Sequence, residues 1–224
     1  GAAVVGLVRD YPSASEVLRN PIFESVRIVR GRAEDRGRVH QALAIHEVRT
    51  AFHLAGAGSE AKADNALATA CREAMPEGHL IVPIRNGDEV REDRLVRFEY
   101  PIAVVRLPRL FGSGDRDATG LVTRTARQLL TGESVAPPRP EELAEPYLFA
   151  ADAARGLLDL AERVADGPHE LPATATGAEV VAALTAAARG EACDSPLSHA
   201  AVETLGWYRG RPEFVHCPAR RSAA

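Results

Sequence analysis

Two carboxylates stand side by side in Asn86-Gly87-Asp88-Glu89-Val90, directly after the apolar run Leu80-Ile81-Val82-Pro83-Ile84. Adjacent carboxylates in a cleft divide their pKa values and serve as an acid and a base. The other reading of the same residues is a solvated acidic turn between Arg85 and Arg91. Asn86 beside the pair, with Arg106 and Arg109 further along, are the candidates for substrate contact. Of the 27 Lys plus Arg residues only Lys62 is lysine, so any mechanism that needs a catalytic lysine has that one residue to use. A GC-rich coding sequence, which favours Ala and Arg, accounts for the scarcity by itself. Ala55-Gly56-x-Gly58-x-x-Ala61 follows a strand pattern and opens a helix, the local context of a dinucleotide fingerprint, with Glu77 placed to meet a ribose. It also reads as the glycine-rich end of a strand whose backbone N–H groups attract an anion. Arg9 and Asp10 close the first strand. An arginine there suits a 2′-phosphate and an aspartate suits a ribose hydroxyl, which imply different cofactors.

Other chemistries find little support. Cys71, Cys193 and Cys217 are few, odd in number and far apart, which reads as reduced thiols. His216-Cys217 stand alone, no spacing suits zinc, and no metal is expected. There is no G-x-S-x-G elbow and no H-E-x-x-H.

These residues need elements to hold them. Apolar runs at Val4–Val8, Val26–Val29, Thr50–Ala55, Leu80–Ile84 and Ile102–Leu107 predict five strands. Between them, a capping-box pattern at Ser13-x-x-Glu16 and helical spacing over Val39–Ile45 and Asn65–Met75 predict helices. Alternating strands and helices, with runs too continuous for a one-faced sheet, mean a doubly wound parallel α/β sheet covered on both sides. Ligands of such sheets sit at the carboxyl ends of the strands. That singles out Arg9-Asp10, Gly31-Arg32, residues 55–59, residues 85–89 and residues 108–115. Beyond residue 115 the pattern turns helical: Leu121–Leu130 stopping at Gly132, Ala151–Val164, Ala178–Arg189 ended by Gly190, and Ser198–Leu205. The proline-bearing stretch Val135–Glu142 reads as an extended loop. The division is therefore a Rossmann-like domain over 1–115 and a smaller, mostly helical lobe over 116–224.

With 224 residues, 46% hydrophobic and 26% charged, the chain has enough apolar content for a sizeable core and is not disordered in composition. A formal charge of −4 gives no overall positive field, so nucleic acid and anionic lipid are not expected partners. No apolar run reaches about 18 residues and the first residues lack a basic n-region, so the expected location is the cytoplasm.

In series, these segments resemble the extended short-chain dehydrogenase/reductases that act on nucleotide sugars, the NAD-dependent epimerases and 4,6-dehydratases. Val5-Gly6-Leu7-Val8-Arg9-Asp10 is similar to the end of the family's second strand, and Val29-Arg30-Gly31-Arg32 with Asp35 to its third-strand G-D-x-x-D. Phe52-His53-Leu54-Ala55-Gly56 resembles F-H-L-A-A, and Asn65 with Thr69 resembles N-x-x-G-T. The run from Val105 to Asp115 is similar to V-R-x-x-N-x-Y-G-x-G-D, the run from Pro146 to Asp152 to D-Y-x-Y-V-x-D, and Leu205-Gly206-Trp207 to a late L-G-W. Asn86 to Val90 is similar to the S-T-D-E-V of the deoxysugar dehydratases, whose Asp and Glu, by this resemblance, are an acid–base pair. The resemblance implies a Rossmann fold, a bound NAD(P) and a nucleotide-sugar substrate.

The departures bear on activity. The family opens with a strand and a G-x-x-G-x-x-G turn that cradles the pyrophosphate. Here the sequence begins after that unit: residues precede it, the sheet is rebuilt, or another chain fills the place. The catalytic Y-x-x-x-K is missing, because Gly58 stands four residues before Lys62, and Tyr100 reads as a packing residue. Glu145 stands where the family has an arginine, and Arg32 where it has an aspartate. The expectation is a degenerate, non-redox acid–base protein acting on a small biosynthetic metabolite, an elimination, isomerisation or cyclisation, with no NAD(P) or NAD(P) weakly bound. Its alternatives are a non-catalytic partner of a biosynthetic enzyme, as a homo-oligomer or with a partner chain, and an incomplete sequence of a conventional dehydratase or epimerase.

Overall fold

The computed structural model describes residues 3–10, 25–54, 60–115, 117, 119–134, 136–191 and 193–211. The chain divides into two compact units, Gly1–Arg106 with Leu157–His169, and Leu107–Gly156 with Glu170–Ala224. The division expected at residue 115 thus falls after Arg106, and the chain returns to the first unit once. The strands expected at Val4, Val26, Thr50, Leu80 and Ile102 are all present; the helix expected from Ser13 lies outside the described residues.

In the first unit, β1 (Val4–Val8) and β2 (Val26–Arg30) pair in parallel, Val4 opposite Val26 through Val8 opposite Arg30. Helix α1 (Arg36–Ile45) follows, begun by Asp35, whose carboxylate accepts from the Arg38 N–H. Strand β3 (Thr50–Phe52) is shorter than the apolar run suggests, and α2 (Glu60–Ala74) leads to β4 (His79–Arg85). Next come α3 (Glu89–Leu95), which hydrophobic patterning did not reveal, and β5 (Ile102–Leu107). A later strand, β8 (Gly167–Glu170), joins the same sheet, whose order is β3-β4-β5-β8. Thr50 lies opposite His79 and Phe52 opposite Ile81 in a parallel ladder. Strands β1 and β2 carry a separate ladder of their own.

The burial follows from two-sided covering. Leu80, Val82, Ile84, Ile102 and Val104 pack with Val39, Leu67, Cys71 and Met75 from the helices. Ile81, Ala103 and Val105, which point to the other side, are also fully buried. Alternation of sides with no loss of burial is the mark of a central parallel sheet. Strand β1 has the same apolar composition but is only half-buried, and Val4 is 52% exposed.

The second unit is not purely helical. It holds a small sheet, β6 (Arg109–Phe111), β7 (Pro146–Phe149) and β9 (Ala175–Thr176), in the order β6-β7-β9. Helices α4 (Leu121–Thr131), α5 (Pro140–Ala144), α7 (Gly177–Arg189) and α8 (Pro196–Arg209) pack with it, and α6 (Ala150–Glu162) follows β7. The segment read as an extended loop therefore ends in α5: Pro140 takes the first helical position, where its missing N–H costs nothing. Gly132 and Gly190 stop α4 and α7 in the left-handed conformation, as their positions in the sequence imply. The core is aromatic: Phe111 lies edge-on to Tyr147 at 6.2 Å and 5.5 Å from Phe149.

Candidate functional site

Carboxyl ends of parallel strands gather the chemistry of the first unit at two places. At the ends of β1 and β2, Arg9, Asp10, Arg30, Gly31, Arg32, Asp35 and Arg38 line a cavity of about 540 Å³. Arg38 Nε donates to the Arg30 carbonyl at 3.2 Å, and Arg9 Nε donates to Asp10 at 3.0 Å. Gly31 is required here, because a Cβ would lie 2.7 Å from Arg38 Cγ and 2.8 Å from Leu7 Cδ1. Arg9 and Asp10 were expected at this place; Arg30, Arg38 and the cavity they share were not. Ala55, Gly56 and Gly58, the other cofactor candidates, lie outside the described residues.

Past the ends of β3, β4 and β5, a buried ion cluster has formed. The Asp64 carboxylate, on α2, has no solvent exposure. Arg91 grips it with both arms, Nε to Oδ2 at 3.0 Å and Nη2 to Oδ1 at 2.9 Å. Arg94 adds a third donor at 2.6 Å. His53 Nε2 stands 3.1 Å from Oδ1, close but off the line of a good hydrogen bond. Burial alone would favour the neutral acid; contacts from His53, Arg91 and Arg94 outweigh it and hold Asp64 well below the usual carboxylate range. Next to it Arg106 meets Glu92 in a bidentate pair, at 2.6 and 2.7 Å. The guanidinium beside it draws the Glu92 carboxyl below its ordinary value against some desolvation. Arg106, a candidate for substrate contact, thus has its fork on Glu92. Helix α3 supplies Arg91, Glu92 and Arg94, so its charged sequence, with no apolar stripe, is an inward-facing electrostatic surface.

Asp88 and Glu89 stand at the carboxyl end of β4, as their place in the sequence requires. Gly87 makes the turn with φ +89°. Asp88 is the N-cap of α3, accepting from the Arg91 N–H at 3.3 Å, and Glu89 is exposed in the first helical turn. Asn86 is exposed in the turn before the helix, next to Gly87. Tyr100 is buried and donates its hydroxyl to the Met75 carbonyl at 2.9 Å; burial pushes its phenol up. Lys62 is exposed on α2. These two are not a catalytic pair.

In the second unit, Arg109 and Tyr147 are directly opposed on β6 and β7. Arg109 pairs with Asp117 at 2.9 Å and Glu145 at 3.5 Å. Burial, chiefly, pushes Tyr147 up to about 12. Glu145 is thereby the second acidic partner of Arg109, after Asp117.

Among the described residues no group of three or more His, Cys, Asp or Glu is placed to hold a metal, and no helix is long and apolar enough to cross a membrane.

No family model and no curated protein matches the sequence. Solved structures do match the fold. The Bordetella bronchiseptica enzyme WbmH, solved with NAD+, superposes with a TM-score of 0.73 at 13% identity, over 93% of this chain and 90% of that one. UDP-glucose 4-epimerase from Thermotoga maritima, solved with UDP-glucose, gives 0.71 at 15% identity, over 94% and 92%. dTDP-glucose 4,6-dehydratase from Bacillus anthracis, solved with NAD, gives 0.70 at 11% identity, over 90% and 84%. The chain has the Rossmann-like fold of the NAD-dependent nucleotide-sugar epimerases and dehydratases.

Proposed function

We propose that the chain holds an adenine dinucleotide by its adenosine end and catalyses proton transfer, not hydride transfer, on a small nucleotide-linked metabolite. The observation that supports it is the cavity at the ends of β1 and β2, a cationic recess at the edge where such sheets take nucleotides. The residues around it suit an adenosine ribose and phosphate. When bound, a dinucleotide supplies hydride chemistry, for which Lys62 and Tyr100 give no proton-handling pair. A substrate for this chain therefore brings its own acidic C–H, next to a carbonyl already in place. Glu89, exposed in the first turn of α3, is the base, and Asp88 holds that turn in shape as its N-cap.

The test is deuterium exchange from D2O into dTDP-4-keto-6-deoxyglucose, followed by NMR. Glu89→Gln is expected to slow exchange by about 10²-fold or more. Asp88→Asn, which keeps a cap acceptor, leaves stability nearly unchanged, whereas Asp88→Ala lowers it by about 1 kcal/mol in urea denaturation. No exchange by the parent chain, or full exchange by Glu89→Gln, overturns the reading.

A second reading rests on the divided sheet. A strand from another copy, or from a partner chain, inserted between the two ladders would make the protein a structural partner instead of a catalyst. Light scattering is then expected to show an oligomer; a monomer that binds nucleotide counts against it.

A further inference from the structure

Two of the neighbours named above were solved with NAD+ or NAD; the recess in this chain is rich in arginine. We infer that it selects a 2′-phosphorylated adenosine, so that the dinucleotide held is of the NADP type. This deepens the proposed nucleotide site and rests on it.

The lining has four guanidinium groups, Arg9, Arg30, Arg32 and Arg38, against two carboxylates, Asp10 and Asp35. Each carboxylate already accepts from a neighbour. Asp10 takes the Arg9 Nε–H at 3.0 Å, and Asp35 is the cap of α1 through the Arg38 N–H at 3.0 Å. An unmodified ribose wants an acceptor at this place, whereas a phosphate monoester wants planar, multi-donor cations. The cations come from both strand ends and from α1. Arg9 follows β1, Arg30 ends β2, and Arg32 is two residues further on. Arg38 lies in the first turn of α1, its Nε fixed on the Arg30 carbonyl at 3.2 Å. Gly31 lets this arrangement close, because its missing side chain is what gives Arg38 and Leu7 their room. Arg32 contributes a further reversal. Its position carries an aspartate in the resembling family, and here it is an arginine, paired with Glu34 at 3.6 Å. Counted with Glu34, the recess has four positive charges against three negative, a surplus of one in a chain whose net charge is −4.

The experiment is a titration of the full chain with NADPH and NADH, read by nucleotide fluorescence, with adenosine 2′,5′-bisphosphate and 5′-AMP as competitors. NADPH is expected to bind about tenfold or more tightly than NADH, because a charge-assisted arginine–phosphate contact is lost with the 2′-phosphate. Adenosine 2′,5′-bisphosphate should displace it and 5′-AMP should not. The double variant Arg9→Gln, Arg32→Gln, at two exposed positions, is expected to bring the ratio close to one, and raised salt to narrow it. Equal or tighter binding of NADH overturns the inference but leaves the nucleotide site standing. A preference for NADPH that survives the double variant overturns the assignment to these arginines. No binding of either nucleotide at millimolar concentration overturns both the inference and the proposed nucleotide site.

Discussion

Asp64→Asn is expected to destabilise the chain by about 3–5 kcal/mol, the cost of removing one partner from a buried ion cluster. The Asp64 side chain has no solvent exposure and Arg91 only 7%, so water cannot take over the role of the lost charge. Arg91 and Arg94 would both lose the counter-charge they share. Urea denaturation measures it: the midpoint falls with an unchanged slope. A loss below about 1 kcal/mol would mean that the cluster behaves like surface ion pairs. Replacing the group together, Asp64→Leu with Arg91→Met and Arg94→Met, is expected to recover much of the loss, because desolvation of charge goes with the charges. The pH dependence has a definite sign. Asp64 titrates lower in the folded chain than in the unfolded one, where an aspartate has a pKa near 3.9. Its contribution is therefore fully present above about pH 4 and is lost as pH falls through the folded value. Asp64→Asn should flatten that part of the acid limb.

Gly177→Ala is the second large effect. Gly177 opens α7, and a Cβ there would lie 2.1 Å from the Glu142 carbonyl oxygen and 3.0 Å from Leu121 Cδ2. A backbone carbonyl cannot swing away as a side-chain tip can. The substitution is expected to cost about 1–3 kcal/mol or more, by overpacking. Gly206, inside α8, has nothing within 4 Å of a Cβ, and Gly206→Ala is expected to stabilise by about 0.4–1 kcal/mol. The two variants, compared by thermal unfolding, should move Tm in opposite directions. Shifts of the same sign would sink the argument.

The strands of the first unit were legible because central parallel strands are apolar on both sides, so Leu80 to Ile84 and Ile102 to Leu107 announce themselves. Gly132 and Gly190 were legible because a helix stop needs a left-handed residue. Helix α3 was not, since its buried side carries Arg91 and Glu92 beside a single leucine, Leu95, and hydrophobic periodicity does not register ion pairs. For the same reason Asp64 went unseen. It lies 27 residues from Arg91 in sequence, and nothing local marks either as a partner. Strands β6 and β9 are two or three residues long, too short to show a period. At the candidate site, position was readable and role was not. Asp88 and Glu89 do lie at a strand's carboxyl end, but the use of Asp88 as a cap depends on a helix that the pattern did not reveal. The arginine recess was half legible, through Arg9, Asp10 and the exchange at Arg32. Arg30 and Arg38 enter it through the parallel pairing of β1 with β2.

The separate ladder of β1 and β2 has a further consequence for how the chain opens. Hydrogen bonds that do not continue into β3–β4–β5–β8 are not broken in one cooperative event with them, so the two-stranded ribbon can come loose at a lower free energy than the central sheet. The arginine recess is built on that ribbon. A ligand held there binds only the closed ribbon, and by mass action it multiplies the ratio of closed to open ribbon by one plus the ratio of free ligand concentration to Kd. Occupancy of the recess would then be read as slower amide exchange in β1 and β2 while β4 and β5 remain unchanged, so the nucleotide would act as a local fastener of the fold.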